Sequence, residues 1–129
     1  SALATKSLKE VKYHLRHSTN WMIRLGDGTE GSNEKVQESL EQIWQFTAEL
    51  FEIDEIDTEL LNAGIGVDNT ALKAKWDEIV NTTLKKAKLS RPKDAYMATG
   101  GKKGMHTEYL GFILAEMQYL QRAYPDAKW

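Results

Sequence analysis

A glutamate and two histidines near the start of this 129-residue chain are spaced so that they could contribute to a metal site. Glu10 and His14 lie four residues apart and share one face if the segment is helical, and His17 follows one turn later. Carboxylate and imidazole groups on inward helix faces hold metals in helical bundles. The spacing is thus compatible with a metal half-site or its remnant. The sequence favours a plainer interpretation, a polar network in which Glu10 accepts a hydrogen bond from His14 or Arg16, because two imidazoles without further carboxylates bind iron poorly.

A complete di-iron centre would require more. Such centres in helical bundles use two Glu-x-x-His pairs, and no glutamate in this chain has a histidine three residues later. We therefore name no metal ligand and no catalytic residue, and Glu10 and His14 remain candidates for a vestigial site. The chain also has no cysteine, which excludes disulfides, thiolate catalysis and sulfur-ligated metals and suits a reducing cytoplasm.

A glycine-rich segment, residues 99–104, carries Lys102 and Lys103 just before a helix expected to begin at Met105. Free amides, the helix dipole and two ammonium groups could bind a phosphate there. The order of residues is not that of a P-loop. A tight glycine turn with surface charge explains the segment equally well, and His106 is better interpreted as a capping or packing residue than as a general base.

The elements that would position these residues are all helical. Apolar residues recur at helical spacing in four stretches. We expect Gly26-Asp27-Gly28 to supply a left-handed stop for the first, and Thr29 or Ser32 and Asp68 or Asn69 to cap later helices. The expected helices cover residues 3–25, 29–51, 69–87 and 105–124. An acidic loop, with one helical turn at residues 58–62, joins the second and third. The prediction is a single all-α domain over residues 1–129, packed as a bundle of about four helices.

Aromatic residues suggest where this bundle meets other chains. Trp21, Trp44 and Trp76 lie on or beside apolar stripes and are expected to be core or interface anchors. The terminal Trp129 has no helix of its own, so docking against a neighbouring segment or disorder are both open. We take Trp129 as an interface candidate together with two tyrosines of the last helix, Tyr119 and Tyr124.

The charge and hydropathy of the chain argue against two classes of function, binding to nucleic acid and binding to membranes. Seventeen basic and nineteen acidic residues leave a net charge of −2, which does not favour binding to nucleic acid or to an anionic membrane surface. No apolar run approaches the roughly 18 residues that cross a bilayer, and no signal segment opens the chain. We expect a protein of the cytoplasm that binds neither nucleic acid nor membrane.

Several strings in the sequence resemble one family closely, the C subunits of bacterial ring 1,2-phenylacetyl-CoA epoxidase, which are also known as C proteins of phenylacetate degradation. The similarity extends in order along the whole chain. The strings that carry it are residues 9–16 (KEVKYHLR), 24–29 (RLGDGT), 46–51 (FTAELF), 99–111 (TGGKKGMHTEYLG) and 114–122 (LAEMQYLQR).

The resemblance implies a ferritin-like helical subunit without a di-iron site of its own. Such a subunit would be a non-catalytic scaffold that pairs with a homologous A subunit, which retains two irons and epoxidises the aromatic ring of phenylacetyl-CoA. NADPH would supply electrons through a reductase that contains FAD and an iron–sulfur cluster. Lys102 and Lys103 would then be candidates for contact with part of coenzyme A.

The family's chains are about twice this length, and the resemblance covers their C-terminal half. The first two helices of the bundle would therefore be missing, and metal ligands on them cannot be checked. A half-bundle leaves apolar stripes uncovered, which favours binding to the A subunit, to other subunits or to a second copy. The alternative is a di-iron oxygenase subunit whose site is completed elsewhere, with Glu10, His14 and Glu116 contributing ligands.

Overall fold

The computed structural model describes residues 2–128, and every regular element in that range is helical, which confirms the all-α class. Six α-helices follow in order: α1 Ala2–Gly26, α2 Glu30–Trp44, α3 Glu55–Asn62, α4 Asn69–Lys86, α5 Tyr109–Met117 and α6 Tyr119–Ala123. Two short 3-10 turns, Ala48–Phe51 and Gly101–Lys103, interrupt the connections. The chain divides into two compact units, one extending to Ala98 and the other beginning at Thr99.

In the first unit, α1 and α2 pack side by side through a three-residue connection. α1 ends at Gly26 as predicted, but residues 26–28 do not adopt the predicted left-handed conformation, and Gly26 instead allows a close contact with Ala87. Thr29 caps α2 by accepting a 3.3 Å hydrogen bond from the amide of Ser32, as one of the two predicted caps. Ser32 also donates through its hydroxyl to the carbonyl of Leu25 at 2.6 Å, so the first turn of α2 satisfies an open carbonyl at the end of α1.

The C-terminal ends of α1 and α4 meet at a close backbone contact. Gly26 is buried against Ala87, which is itself fully buried. Asn33 of α2 donates to the carbonyl of Gly26 at 2.6 Å and to that of Lys88 at 3.2 Å, and so ties the two ends together. Lys88 adopts the left-handed conformation that ends α4, with φ of +56°. Its ammonium bonds the Asp27 carboxylate at 2.6 Å, and this hydrogen bond raises the pKa of Lys88.

A small core holds the first unit together. Its buried members come from α2, α4 and the residues just after α4, and residues of α1 pack around them. Burial of these side chains is the main contribution that stabilises the arrangement of the three helices. The buried residues are Leu40, Trp44, Leu84, Ala87 and Leu89, and the flanking ones include Met22, Ile23, Val36, Trp76 and Val80.

Two predictions about the middle of the chain were wrong. The second helix stops at Trp44 and not at Phe51, because the chain turns after Trp44 and continues as a 3-10 turn; the hydroxyl of Thr47 bonds the Trp44 carbonyl at 2.8 Å. The acidic segment is not a loop with a turn at residues 58–62. Asp54 and Asp57 form a reciprocal capping box that starts α3 at Glu55, where carboxylates also complement the helix dipole.

The second unit contains a glycine turn and two short helices. Gly100 and Gly104 have φ of +91° and +85°, a conformation that favours glycine. The last predicted helix begins at Tyr109 and not at Met105, because the chain is still turning at Gly104. It is also divided in two at Gln118, whose φ and ψ of −98° and 0° depart from helical values.

Candidate functional site

Three helices of the first unit enclose an apolar groove of about 230 Å³. Its floor and walls come from α1, α2 and α4, together with the turn after α2. We call it the apolar groove. The side chains that line it include Leu15, Met22, Leu40, Ile43, Trp44, Trp76, Ile79, Val80 and Leu84.

Three of the four hydroxyl groups that line the apolar groove are engaged within their own helices or turns, and Thr19 carries the fourth. Ser18 donates to the carbonyl of His14 at 2.9 Å, Thr83 to that of Ile79 at 2.8 Å, and Thr47 to that of Trp44. Their protons are therefore not directed at a ligand. The apolar groove suits an apolar surface, and buried area and shape must supply its affinity.

Two tryptophans form one wall of the apolar groove. The ring centroids of Trp44 and Trp76 are 5.8 Å apart, and Phe51 meets Trp76 edge-on at 5.4 Å. Trp44 is only 3% exposed, and its indole N–H donates to Asp94 at 2.7 Å. This wall is therefore aromatic and closely packed, and the hydrogen bond to Asp94 holds the indole of Trp44 in place.

Arg91 lies over both tryptophan rings. Its guanidinium carbon is 4.9 Å from the centroid of Trp44 and 5.8 Å from that of Trp76, within the range of cation–π attraction. The same group donates to Asp77 at 2.6 Å and to Asn81 at 2.8 Å, both on α4. Asp77 also accepts from Lys73 at 2.7 Å, and the hydrogen bonds from Lys73 and Arg91 lower its pKa.

Residues 89–98 form an irregular segment, the strap, that lies beside α2 after α4 has ended. The side-chain amide of Gln37 both accepts from the amide of Ser90 at 2.9 Å and donates to its carbonyl at 3.1 Å. At the other end, the amide of Ala98 donates to the carbonyl of Gln45 at 2.8 Å. Arg91 and Asp94 are strap residues. Sequence reasoning missed them because their partners are 10 to 50 residues away, and Pro92 signalled only the end of a helix.

Glu10 and His14 both lie on α1 and are exposed. Within residues 2–128 no group of three or more histidine, aspartate or glutamate side chains is placed to hold a metal, so these residues do not by themselves fit a di-iron centre. Among the described residues no hydrogen bond joins Glu10 to His14 or Arg16, so the polar network predicted there is not formed. His17 instead stacks on Tyr13 at 5.8 Å and meets Trp21 at 6.4 Å.

The turn that carries Lys102 and Lys103 uses its backbone amides internally. Those of Lys103 and Met105 donate to the carbonyl of Gly100 at 2.9 and 3.0 Å, and that of Gly104 donates to Gly101. The amides of residues 103–105 therefore do not form the open cradle expected for a phosphate. Anion binding remains a prediction that depends on the two ammonium groups.

The interface candidates of the second unit are strongly exposed. Tyr119 is 65% exposed and Tyr124 59%, while Trp129 lies outside the described residues. Other large apolar side chains of α5 share this exposure, including Tyr109 at 65% and Phe112 at 66%. These side chains are therefore accessible to another chain, and their role as interface residues stays a prediction. None of the helices in residues 2–128 is both long and apolar enough to cross a membrane.

The comparisons with known proteins agree with the motifs. The family model described as "Phenylacetic acid catabolic protein" matches residues 1–129. The C subunit of 1,2-phenylacetyl-CoA epoxidase from Escherichia coli (strain K12) is 49% identical over 129 residues, which is 100% of this chain and 52% of that protein. The chain thus spans about half the length of this curated relative, and the resemblance found in its motifs is confirmed. The helical structure and the match along the whole sequence show that this chain belongs to the phenylacetic acid catabolic protein family.

Proposed function

We propose that the chain is part of a non-catalytic structural subunit of a phenylacetyl-CoA epoxidase, acting in aerobic phenylacetate catabolism in the cytoplasm. Its 49% identity to the C subunit of such an epoxidase supports the assignment to this complex. The observation that carries the structural role is the apolar groove, whose lining is almost entirely apolar and three of whose four hydroxyl groups are already bonded. Such a surface suits docking of another protein segment better than binding of a polar substrate.

In this proposal the partner is the catalytic A subunit, and association stabilises it. The A subunit would hold the di-iron centre, which supplies oxygen activation when bound there. The reductase of the complex, with FAD and an iron–sulfur cluster, would pass electrons from NADPH. The contribution of this chain is to bind and position its partner through apolar faces, and a second copy of the chain is another partner for such faces.

The docking role can be tested with matched substitutions in the full-length subunit. Ile43 lines the apolar groove and is 57% exposed, whereas Ile65 lies outside it and is 76% exposed. We expect Ile43→Lys to prevent co-purification with the catalytic subunit, because a lysine would place a charge against an apolar surface. Ile65→Lys should leave association intact, and circular dichroism should show both variants to be helical. Equal co-purification of both variants would contradict docking at the apolar groove.

The structural role has its own test. If the catalytic subunit epoxidises phenylacetyl-CoA at full rate without this subunit, the scaffold assignment is wrong. We expect instead that activity requires both chains and that Ile43→Lys lowers activity to the extent that it lowers association.

The alternative is a di-iron oxygenase subunit whose metal site is completed by segments outside this chain. It is motivated by the spacing of Glu10 and His14 on α1, with Glu116 of α5 as a further candidate ligand. Iron analysis of the full-length protein separates the two functions. Stoichiometric iron that is lost in both Glu10→Gln and His14→Ala would favour the alternative, and iron-free protein after purification from iron-replete cells would support the structural role.

A further inference from the structure

We propose that two copies of this chain associate through the exposed first part of α1 and the acidic helix α3, with α1 of each copy packed against α3 of the other. Residues 2–18 are called the α1 arm here, and residues 49–59 the acidic stretch. The pairing goes beyond the proposed function and does not depend on it, because it requires neither the catalytic subunit nor docking in the apolar groove.

The α1 arm is a helix that nothing buries within residues 2–128. Every one of its residues is exposed, and Thr19 is the first residue of α1 that is half-buried. The arm is about 26 Å long at the rise of an α-helix, and an isolated helix of this length is only marginally stable in water. A second surface that packs against the α1 arm would therefore stabilise it.

Charge is divided unevenly between the two elements. The α1 arm carries four lysine or arginine residues and one glutamate, whereas the acidic stretch carries six carboxylates and no basic residue. The chain as a whole is nearly neutral, with a net charge of −2. Two α1 arms repel each other, and so do two acidic stretches, but the α1 arm of one copy attracts the acidic stretch of another. Charge complementarity thus selects a second copy as the occupant.

The charged groups that would meet are not used within the chain. Lys9 and Lys12 of the α1 arm make no ion pair among the described residues, and neither do Glu55 and Glu59 of α3. All four side chains are exposed. Their spacings of three and four residues place each pair on one face of its helix. Each helix therefore offers two adjacent charges of one sign to a partner.

Exposed apolar residues accompany both charged faces. Leu8 and Val11 lie next to Lys12 on the α1 arm, at spacings of four residues and one residue. Ile56 and Leu60 lie four residues apart on α3, a helix with no buried residue among those described, and both are exposed. Pairing of the two helices would remove this apolar surface from water and leave the charges at its rim, which is the usual arrangement of a protein interface.

Both elements belong to the same end of the first unit. Leu15 of α1 and Trp44, the last residue of α2, line the apolar groove together, so α2 ends beside the middle of α1. Residues 2–14 extend beyond this point, and the acidic stretch begins shortly after it. A two-fold axis at this end would bring each α1 arm to the other copy's acidic stretch. Such an interface is self-complementary and closes at two copies.

The experiment measures self-association of the full-length subunit, purified without the catalytic subunit, by sedimentation equilibrium. We expect a dimer whose dissociation constant rises by about tenfold or more between about 0.05 and 0.5 M NaCl, because salt screens exposed charges. Lys9→Glu with Lys12→Glu should weaken the dimer by at least about tenfold, and so should Glu55→Lys with Glu59→Lys. Each change occurs twice in a two-fold dimer and replaces an attraction by a repulsion.

A mixture of the two double variants provides the decisive measurement. In a dimer of one copy of each, both contacts again join opposite charges, with the signs exchanged at one of them. We therefore expect the mixture to form heterodimers about as tightly as the unmodified subunit pairs with itself, although each variant alone is weakened. A variant that had lost its structure could not regain association in this way, and circular dichroism should show both variants to be helical.

Two valines test the apolar part of the interface. Val11 lies on the α1 arm and is 58% exposed, whereas Val67 lies outside both elements and is 64% exposed. Val11→Ser should weaken the dimer, and Val67→Ser should not. Ile43→Lys should pair normally, so a failure of docking in the apolar groove is distinguishable from a failure of this pairing.

Three results would overturn the proposal: a subunit that stays monomeric, a dimer that neither salt nor the double variants weaken, or a mixture of the double variants that does not associate. The salt dependence needs no variant and decides the matter even if a double variant does not fold.

Discussion

Gly26 faces Ala87 so closely that a β-carbon on Gly26 would lie 2.4 Å from the carbonyl oxygen of Ala87 and 2.9 Å from its β-carbon. The obstacle is backbone and a short side chain, neither of which can rotate away. Asn33 reinforces the contact by donating to carbonyls at the ends of both helices. The junction of α1 with α4 therefore depends on the absence of a side chain at one position.

Replacing this glycine should be costly. We expect Gly26→Ala to lower the free energy of unfolding by about 1–3 kcal/mol, the usual cost of overpacking a tight contact, measured by urea denaturation. Gly31→Ala is the matched control, because a β-carbon there meets nothing within 4 Å. Since alanine favours helix more than glycine does, the control should be neutral or more stable by up to about 1 kcal/mol. If Gly26→Ala and Gly31→Ala lowered the free energy of unfolding equally, overpacking against Ala87 would not be the cause of the loss.

We expect the side-chain amide of Asn33 to stabilise the fold through the hydrogen bonds that its nitrogen donates. In Asn33→Asp the nitrogen that donates to Gly26 and Lys88 becomes a carboxylate oxygen facing two carbonyl oxygens. We expect a loss of about 1–3 kcal/mol in the free energy of unfolding at neutral pH, since two acceptors lose their partner. Asn20→Asp, on the exposed side of α1, makes the same chemical change without these bonds and should have little effect. Thermal unfolding followed by circular dichroism compares the two variants.

Acid should weaken the first unit through Asp77. Hydrogen bonds from Lys73 and Arg91 hold its pKa below the ordinary value of 3.8 in the folded protein. The carboxylate therefore stabilises the fold above that value, and this contribution is lost as the pH falls through the lowered pKa. Asp77→Asn should be less stable than the unmodified protein at neutral pH, and the difference should shrink below pH 3.8. A constant difference across this range, measured by urea denaturation, would show that the ion pairs contribute nothing.

The two lysines of the glycine turn offer a direct test of anion binding. If their ammonium groups contact a phosphate of coenzyme A, the Lys102→Ala and Lys103→Ala double variant should weaken binding of phenylacetyl-CoA to the epoxidase complex by roughly tenfold or more, the loss of one or two charge-assisted bonds. Lys85→Ala with Lys86→Ala removes the same charge from the end of α4 and serves as the control. Calorimetric titration with phenylacetyl-CoA compares the complexes that contain the two double variants. Equal affinity of the two would show that Lys102 and Lys103 do not form an anion site.

Local chemistry predicted most of the helix ends. Thr29 and Asp68 act as caps, because each signal depends on neighbours within a few residues. Gly26 ends α1 without the predicted left-handed conformation, and its closest contact is with the distant Ala87. The capping box of Asp54 and Asp57 is equally local, but the acidic run is predicted as a loop, whereas these two carboxylates accept hydrogen bonds from backbone amides. The end of α2 was harder to predict, since apolar residues keep a helical spacing into the following 3-10 turn.

The aromatic wall was only half predictable. Helical spacing placed Trp44 and Trp76 on inward faces, but nothing near Arg91 or Asp94 in the sequence indicates that these residues reach the indoles. Such contacts depend on how the strap, which has no regular structure, packs against α2 and α4. The spacing of Glu10 and His14 correctly put both on α1, whereas their chemical role depends on groups that this sequence does not specify.

The strap contains spare length. Its attachments at Ser90 and Ala98 are eight residues apart, and so are their partners, Gln37 on α2 and Gln45 just after α2. Eight residues of helix advance about 12 Å, whereas eight extended residues can reach roughly 26–29 Å. The excess is taken up by bends, one of them closed by the 2.9 Å bond from the amide of Ala95 to the carbonyl of Lys93. The strap is therefore longer than its two anchors require, and its surplus residues include Asp94, which accepts the hydrogen bond from the indole of Trp44.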